Sequence, residues 1–141
     1  MAPKQKDMKW VEKLTEGVHL AAVDPVAAIG ALRGLLETVE AAGNDGAAHA
    51  VLEVLVGLLI NQRTELADAE LLALRLVERC PDRLHLSSLA RVCRMRGNEK
   101  QAHEYEERAR SAPNNHLTPE FLRDYAEAVQ MAEEEDRRRR H

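Results

Sequence analysis

Thiol and imidazole groups that could hold a metal or run nucleophilic chemistry are few in this chain and poorly spaced for either. The six histidines are scattered, and the two cysteines, Cys80 and Cys93, form no C-x-x-C pair. His85, Cys93 and His103 approach one another only if one helical hairpin carries all three, and their spacing does not match a tetrahedral zinc site. His103 falls on a charged helix face, where a solvated imidazole is expected, and both thiols read as core-filling side chains. Catalytic signatures are missing as well. There is no glycine-rich phosphate loop, no H-E-x-x-H and no G-x-S-x-G, and the serines are confined to Ser87, Ser88 and Ser111. The pattern predicts a non-catalytic protein with no metal ligands and no cofactor.

The other conspicuous chemistry is the run "EEEDRRRR", Glu133 to Arg140. It has the look of a basic tail, yet each acid is followed four residues later by an arginine, the order that supports a helix by about 0.3 to 0.5 kcal/mol per pair. Arginines at a helix C-terminus also complement its dipole. A solvated helix end is expected there, in preference to a docking arm or a nucleic-acid arm.

Length and composition bound what can position these groups. A chain of 141 residues fits one domain and can bury roughly two thirds of its unfolded surface. Alanine and leucine dominate, aromatics make up 3 %, and Gly and Pro are few, a balance that favours helices. The net charge of −4 does not suit nucleic acid or an anionic membrane as the main partner. "MAPKQKDMKW" carries no apolar run for a secretion signal, and "VLVGLLI" is far shorter than the ~20 residues of a membrane span. Two unpaired cysteines fit a reducing compartment, so the cytoplasm is expected.

Seven helices follow from periodicity and punctuation. The first runs from Asp7 to about Leu20, with Trp10, Val11, Leu14 and Val18 recurring at helical spacing. Asp24-Pro25 supplies a cap and a first-turn proline for the second, which reaches about Ala42. After the turn residues of "GNDG", the third spans Ala47 to Gln62 and is apolar almost all round, with Glu53 its only charge. Thr64 is placed to cap the fourth, marked by Leu66, Ala69, Leu72, Ala73 and Leu76 and ended by Cys80-Pro81. The fifth carries Leu84, Leu86, Leu89, Ala90 and Cys93 and stops at Gly97; Asn98 caps the sixth, which stops before Pro113. Thr118-Pro119 opens a seventh, striped by Phe121, Leu122, Tyr125, Val129 and Ala132.

Two stretches superpose on one another. Gly57 aligns with Ala90 and Ala69 with Ala102, 33 residues apart in each case, while Pro81 and Pro113 close the two units 32 apart. Small residues let paired helices approach closely, and a proline stops the second helix before the next unit begins. From about Ala50 to Asn115 the sequence resembles the tetratricopeptide repeat family. Leu86, Leu89 and Ala90 take the first-helix positions, Gly97-Asn98 the turn, and Ala102, Ala109 and Pro113 the rest. Cys93 stands where an aromatic is usual, Tyr105 is displaced, Glu53 occupies a large apolar position and Thr64 replaces the turn glycine.

The resemblance implies an all-α fold of stacked antiparallel helical hairpins, a solenoid fragment within a single domain over residues 1–141. Its repeats lie over 47–83 and 84–116; an N-terminal hairpin over residues 7–42, repeat-like but outside the resemblance, precedes them, and a capping helix over 118–137 follows. It also implies a groove lined by Val51, Val54, Leu55, Leu58, Asn61 and Gln62 from one unit and by Ser87, Ser88, Arg91 and Arg94 from the next. Arg91 and Arg94, three apart, share a helix face and can pair with an acidic side chain or chain terminus. The family's clamp for a C-terminal carboxylate uses lysine and asparagine, and Val54 and Leu58 stand there instead. The expected partner-binding residues are Val54, Leu58, Asn61, Gln62, Ser87, Arg91 and Arg94. The expected role is an adaptor or chaperone-like protein that binds a peptide or helix of another protein, with self-assembly through the first or last helix as the alternative.

Overall fold

A computed structural model describes residues 9–113, 130–131 and 133–139. Among the described residues all regular structure is helical: α1 (Lys9–Ala21), α2 (Pro25–Ala41), α3 (Asp45–Gln62), α4 (Leu66–Arg79), α5 (Arg83–Met95) and α6 (Glu99–Ser111), with residues 130–131 and 133–139 helical as well. No helix among them is long and apolar enough to cross a membrane. The expected helix start at Asp7 and most of the expected helix over 118–137 lie outside the described residues. The latter include Thr118 and Phe121, Leu122, Tyr125, Val129 and Ala132.

Three residues separate each of the helices α1 to α6 from the next, and the joints explain why the chain turns where it does. Asp24 accepts a hydrogen bond from the Ala27 amide at 3.1 Å, and Pro25 opens α2 where its missing N–H costs nothing. Asn44 does the same for Ala47 at 3.1 Å, so α3 begins at Asp45, two residues earlier than the turn residues suggest. Paired hydrogen bonds close the ends of α2, α3 and α5: the amides of Gly43 and Asn44, Arg63 and Thr64, and Gly97 and Asn98 return to carbonyls three and five residues back. Gly43 and Gly97 take the left-handed conformation this closure needs (φ 69° and 84°), and so does Arg63 (φ 51°), which bears a Cβ. Thr64 does not cap α4. That position falls to Glu65, itself left-handed at φ 48°, with no side-chain cap bond. Asn98 stands at the start of α6, but its side chain donates to Gln101 rather than capping an amide.

The described residues form two compact units, one drawn from Met1–Val51 and Pro119–His141, the other from Leu52–Thr118. In the first, α1 packs on α2. Val11, Leu14 and Gly17 are the buried positions of α1, whereas Trp10 is half-buried and Val18 is 46 % exposed. The apolar stripe is therefore rotated from the expected one. Gly17 sits on the buried face: a Cβ there would stand 2.8 Å from Cδ2 of the fully buried Leu32, so any larger residue would require that side chain to move.

In the second unit α5 packs on both α4 and α6. Leu86, Leu89, Val92 and Cys93 of α5 are buried, as are Leu72 and Leu76 of α4, each large aliphatic contributing about 1.5 to 3 kcal/mol by leaving water. Ala69, Ala90 and Ala102, expected where helices crowd, are 0 %, 2 % and 0 % exposed. Gly57 differs, since a Cβ there would meet no atom within 4 Å and the residue is half-buried. Leu84, counted with the apolar face of α5, is 64 % exposed, and the position inside the turn belongs to His85. The first turn of α5 is tied to the last turn of α6: the Arg83 amide donates to the Pro113 carbonyl at 3.0 Å, and its guanidinium donates to the Ala109 carbonyl at 3.2 Å and the Arg110 carbonyl at 3.5 Å.

Candidate functional site

Between α5 and α6 lies an open hollow of about 350 Å³, lined by Ser87, Ala90, Arg91, Arg94, Met95 and Glu106. A second of about 290 Å³, lined by Arg83, Ser87, Glu106, Ala109 and Arg110, shares Ser87 and Glu106 with it. The two make one cleft. Helical spacing builds it, because Ser87, Arg91 and Arg94 fall on one face of α5. The buried alanines 90 and 109 leave its floor low and apolar.

The arginines around the cleft are not equivalent. Arg94 is ion-paired with Glu106 and, at 3.0 Å, with Glu99, so it holds α5 to the first two turns of α6. Arg110 is bound to Glu107 at 2.8 Å, and Arg83 to backbone carbonyls. Arg91 is exposed and has no ion-pair partner among the described residues. Of the residues expected to bind a partner, Ser87, Arg91 and Arg94 come together here. Val54 and Leu58 are half-buried and Asn61 and Gln62 exposed on α3, and none of the four lines either hollow. Glu106, which neutralises Arg94, had no signal in the sequence, because the pair joins residues on different helices.

A second polar cluster is buried. His85, 2 % exposed, has Nε2 at 2.8 Å from Glu53 Oε1, while Nδ1 lies 2.8 Å from the Cys80 carbonyl and 3.1 Å from Asp82 Oδ1. Asp82 Oδ1 also accepts from the His85 amide at 2.8 Å, capping α5. Burial lowers the pKa of His85, but the bond to Glu53, the Cys80 carbonyl and the Asp82 and Glu53 charges outweigh it and raise the pKa above its usual value. As an imidazolium the ring donates from both nitrogens. The Cys80 thiol, buried and beside Asp82 and Glu53, is pushed up to about 11, the reverse of what a nucleophilic thiolate requires. Cys93 is likewise pushed up to about 11 by burial and by Glu70, which accepts from its Sγ at 3.6 Å. His103 is on the surface, 3.9 Å from Glu107, so His85, Cys93 and His103 are held by different carboxylates. The cap at Asp82 was legible as an acid following a proline at a helix start; the ionic cluster was not.

In the acidic and basic run, Glu135 and Arg139 pair at 3.2 Å, and Arg139 also reaches Glu12 of α1 at the same distance. Helix support and a tie to α1 both use that arginine. Neither a protein-family model, a curated protein nor a solved structure matches the sequence.

Proposed function

We propose that the chain is a non-catalytic protein–protein interaction module, an adaptor or chaperone-like protein that takes a peptide or helix of a partner into the cleft between α5 and α6. One observation carries this reading: the cleft is open, floored by small apolar residues and edged by Arg91, a cation with no ion-pair partner among the described residues. Protein interfaces favour such a setting, with an apolar centre and an arginine at its rim.

A tetratricopeptide-like construction of the second unit is part of the proposal. The buried Ala69, Ala90 and Ala102, the left-handed Gly97 turn and the end of α6 before Pro113 support it. Gly57, which no neighbour crowds, departs from the pattern. Two free, buried cysteines support a reducing compartment such as the cytoplasm.

The test is affinity capture from the native host with the full chain and with Ser87→Trp, which places an indole in both hollows from an exposed site. Loss of a captured protein, with helical signal and melting temperature kept, is the expected result; equal capture refutes the cleft. Light scattering across concentration distinguishes the alternative, self-assembly, by a mass that rises with concentration.

A further inference from the structure

We infer that the cleft selects an acidic amphipathic helix, one that sets a carboxylate on Arg91 and an apolar side chain in the hollow over Ala90 and Met95. The inference rests on the reading of the cleft as a partner site and specifies the partner's chemistry.

Charge complementarity supplies the argument. Every cation at the cleft except Arg91 is already engaged within the protein, Arg94 by two carboxylates, Arg110 by one and Arg83 by carbonyls. The nearby acids Glu99, Glu106 and Glu107 are the groups that engage them, so among the described residues none is left to neutralise Arg91. An incoming carboxylate therefore finds a guanidinium that no acid among the described residues compensates, able to donate in a bidentate fork. Ser87 stands one helical turn before Arg91, on the same face, and its hydroxyl can donate to a second acid. Acids at i and i+4 of a partner helix have the same one-turn separation. Between them the hollow offers apolar surface for a leucine-like side chain.

The experiment measures fluorescence anisotropy of a labelled synthetic helical peptide built from leucine and glutamate, alongside its Glu→Gln version. The intact chain should bind the acidic peptide about tenfold or more tightly than the glutamine one, the ratio that one charge-assisted hydrogen bond supports. Arg91→Gln should lose that same factor for the acidic peptide and nothing further for the glutamine peptide. Lys100→Gln, an exposed cation of α6 outside the cleft, should leave both affinities unchanged and so exclude a general charge effect. If both peptides bind equally and Ser87→Trp alone abolishes binding, the cleft reading survives and selection of acid is overturned. If neither peptide binds, or Ser87→Trp and Arg91→Gln change nothing, both are overturned.

Discussion

His85 Nε2 lies 2.8 Å from Glu53 Oε1, joining the buried imidazole of α5 to a half-buried carboxylate of α3 that is 32 positions away. This contact accounts for the one charged residue, Glu53, in the apolar middle of α3. A large apolar residue at position 53 would leave the imidazole without this acceptor.

That bond makes stability depend on pH. The folded pKa of His85 is raised, so its contribution is complete below the unfolded value of about 6.5 and is lost as pH rises through the folded value. Glu53→Leu should cost roughly 1 to 3 kcal/mol in acid, where the acceptor of a buried donor is removed. Denaturant unfolding checks this: the gap between wild type and variant should hold below about pH 6.5 and narrow as pH rises above it, through the raised folded value. A gap of constant size would show that His85 is not charged in the folded protein.

Arg63 pays a conformational cost that glycine would not. Its φ of 51° sits where Gly43 and Gly97 hold equivalent helix ends. Arg63→Gly is expected to stabilise by about 0.5 to 1 kcal/mol and to raise the melting temperature by a few degrees. A lower melting temperature would mean that the arginine side chain contributes more than the strain removes.

Gly57 and Gly17 should respond oppositely to alanine. Nothing stands within 4 Å of a Cβ at Gly57, so Gly57→Ala should gain up to about 1 kcal/mol of helix propensity. At Gly17 the new methyl meets Leu32 at 2.8 Å, and overpacking of about 1 to 3 kcal/mol should cancel or exceed that gain. Thermal melts of the two variants, run side by side, test the assigned packing directly.

Ala102 is fully buried on α6, and Ala102→Leu should cost about 1 to 3 kcal/mol by forcing α6 away from its neighbour. A neutral melt would show that α6 is not closely packed there. Arg94→Glu is a poor probe of binding, because it would set a third carboxylate beside Glu99 and Glu106 and loosen the α5–α6 hairpin. Arg91, exposed and outside those pairs, separates recognition from folding.

The helices and most of their ends could be read from the residues alone, because capping, proline stops and glycine turns act over a few positions of one backbone. Asp24-Pro25, Cys80-Pro81, Gly97 and Pro113 each end or start an element for such a reason. The same local logic failed at Thr64, where a left-handed Arg63 closes α3 and Glu65 starts α4. Periodicity also placed Leu84 and Val18 toward a core that the fold assigns to His85 and Gly17. Which glycine is crowded, which arginine is already paired and which charge is buried depend on side chains brought together from separate helices. A close approach or an ion pair decays within a few ångströms, so only the folded arrangement decides which residues it joins.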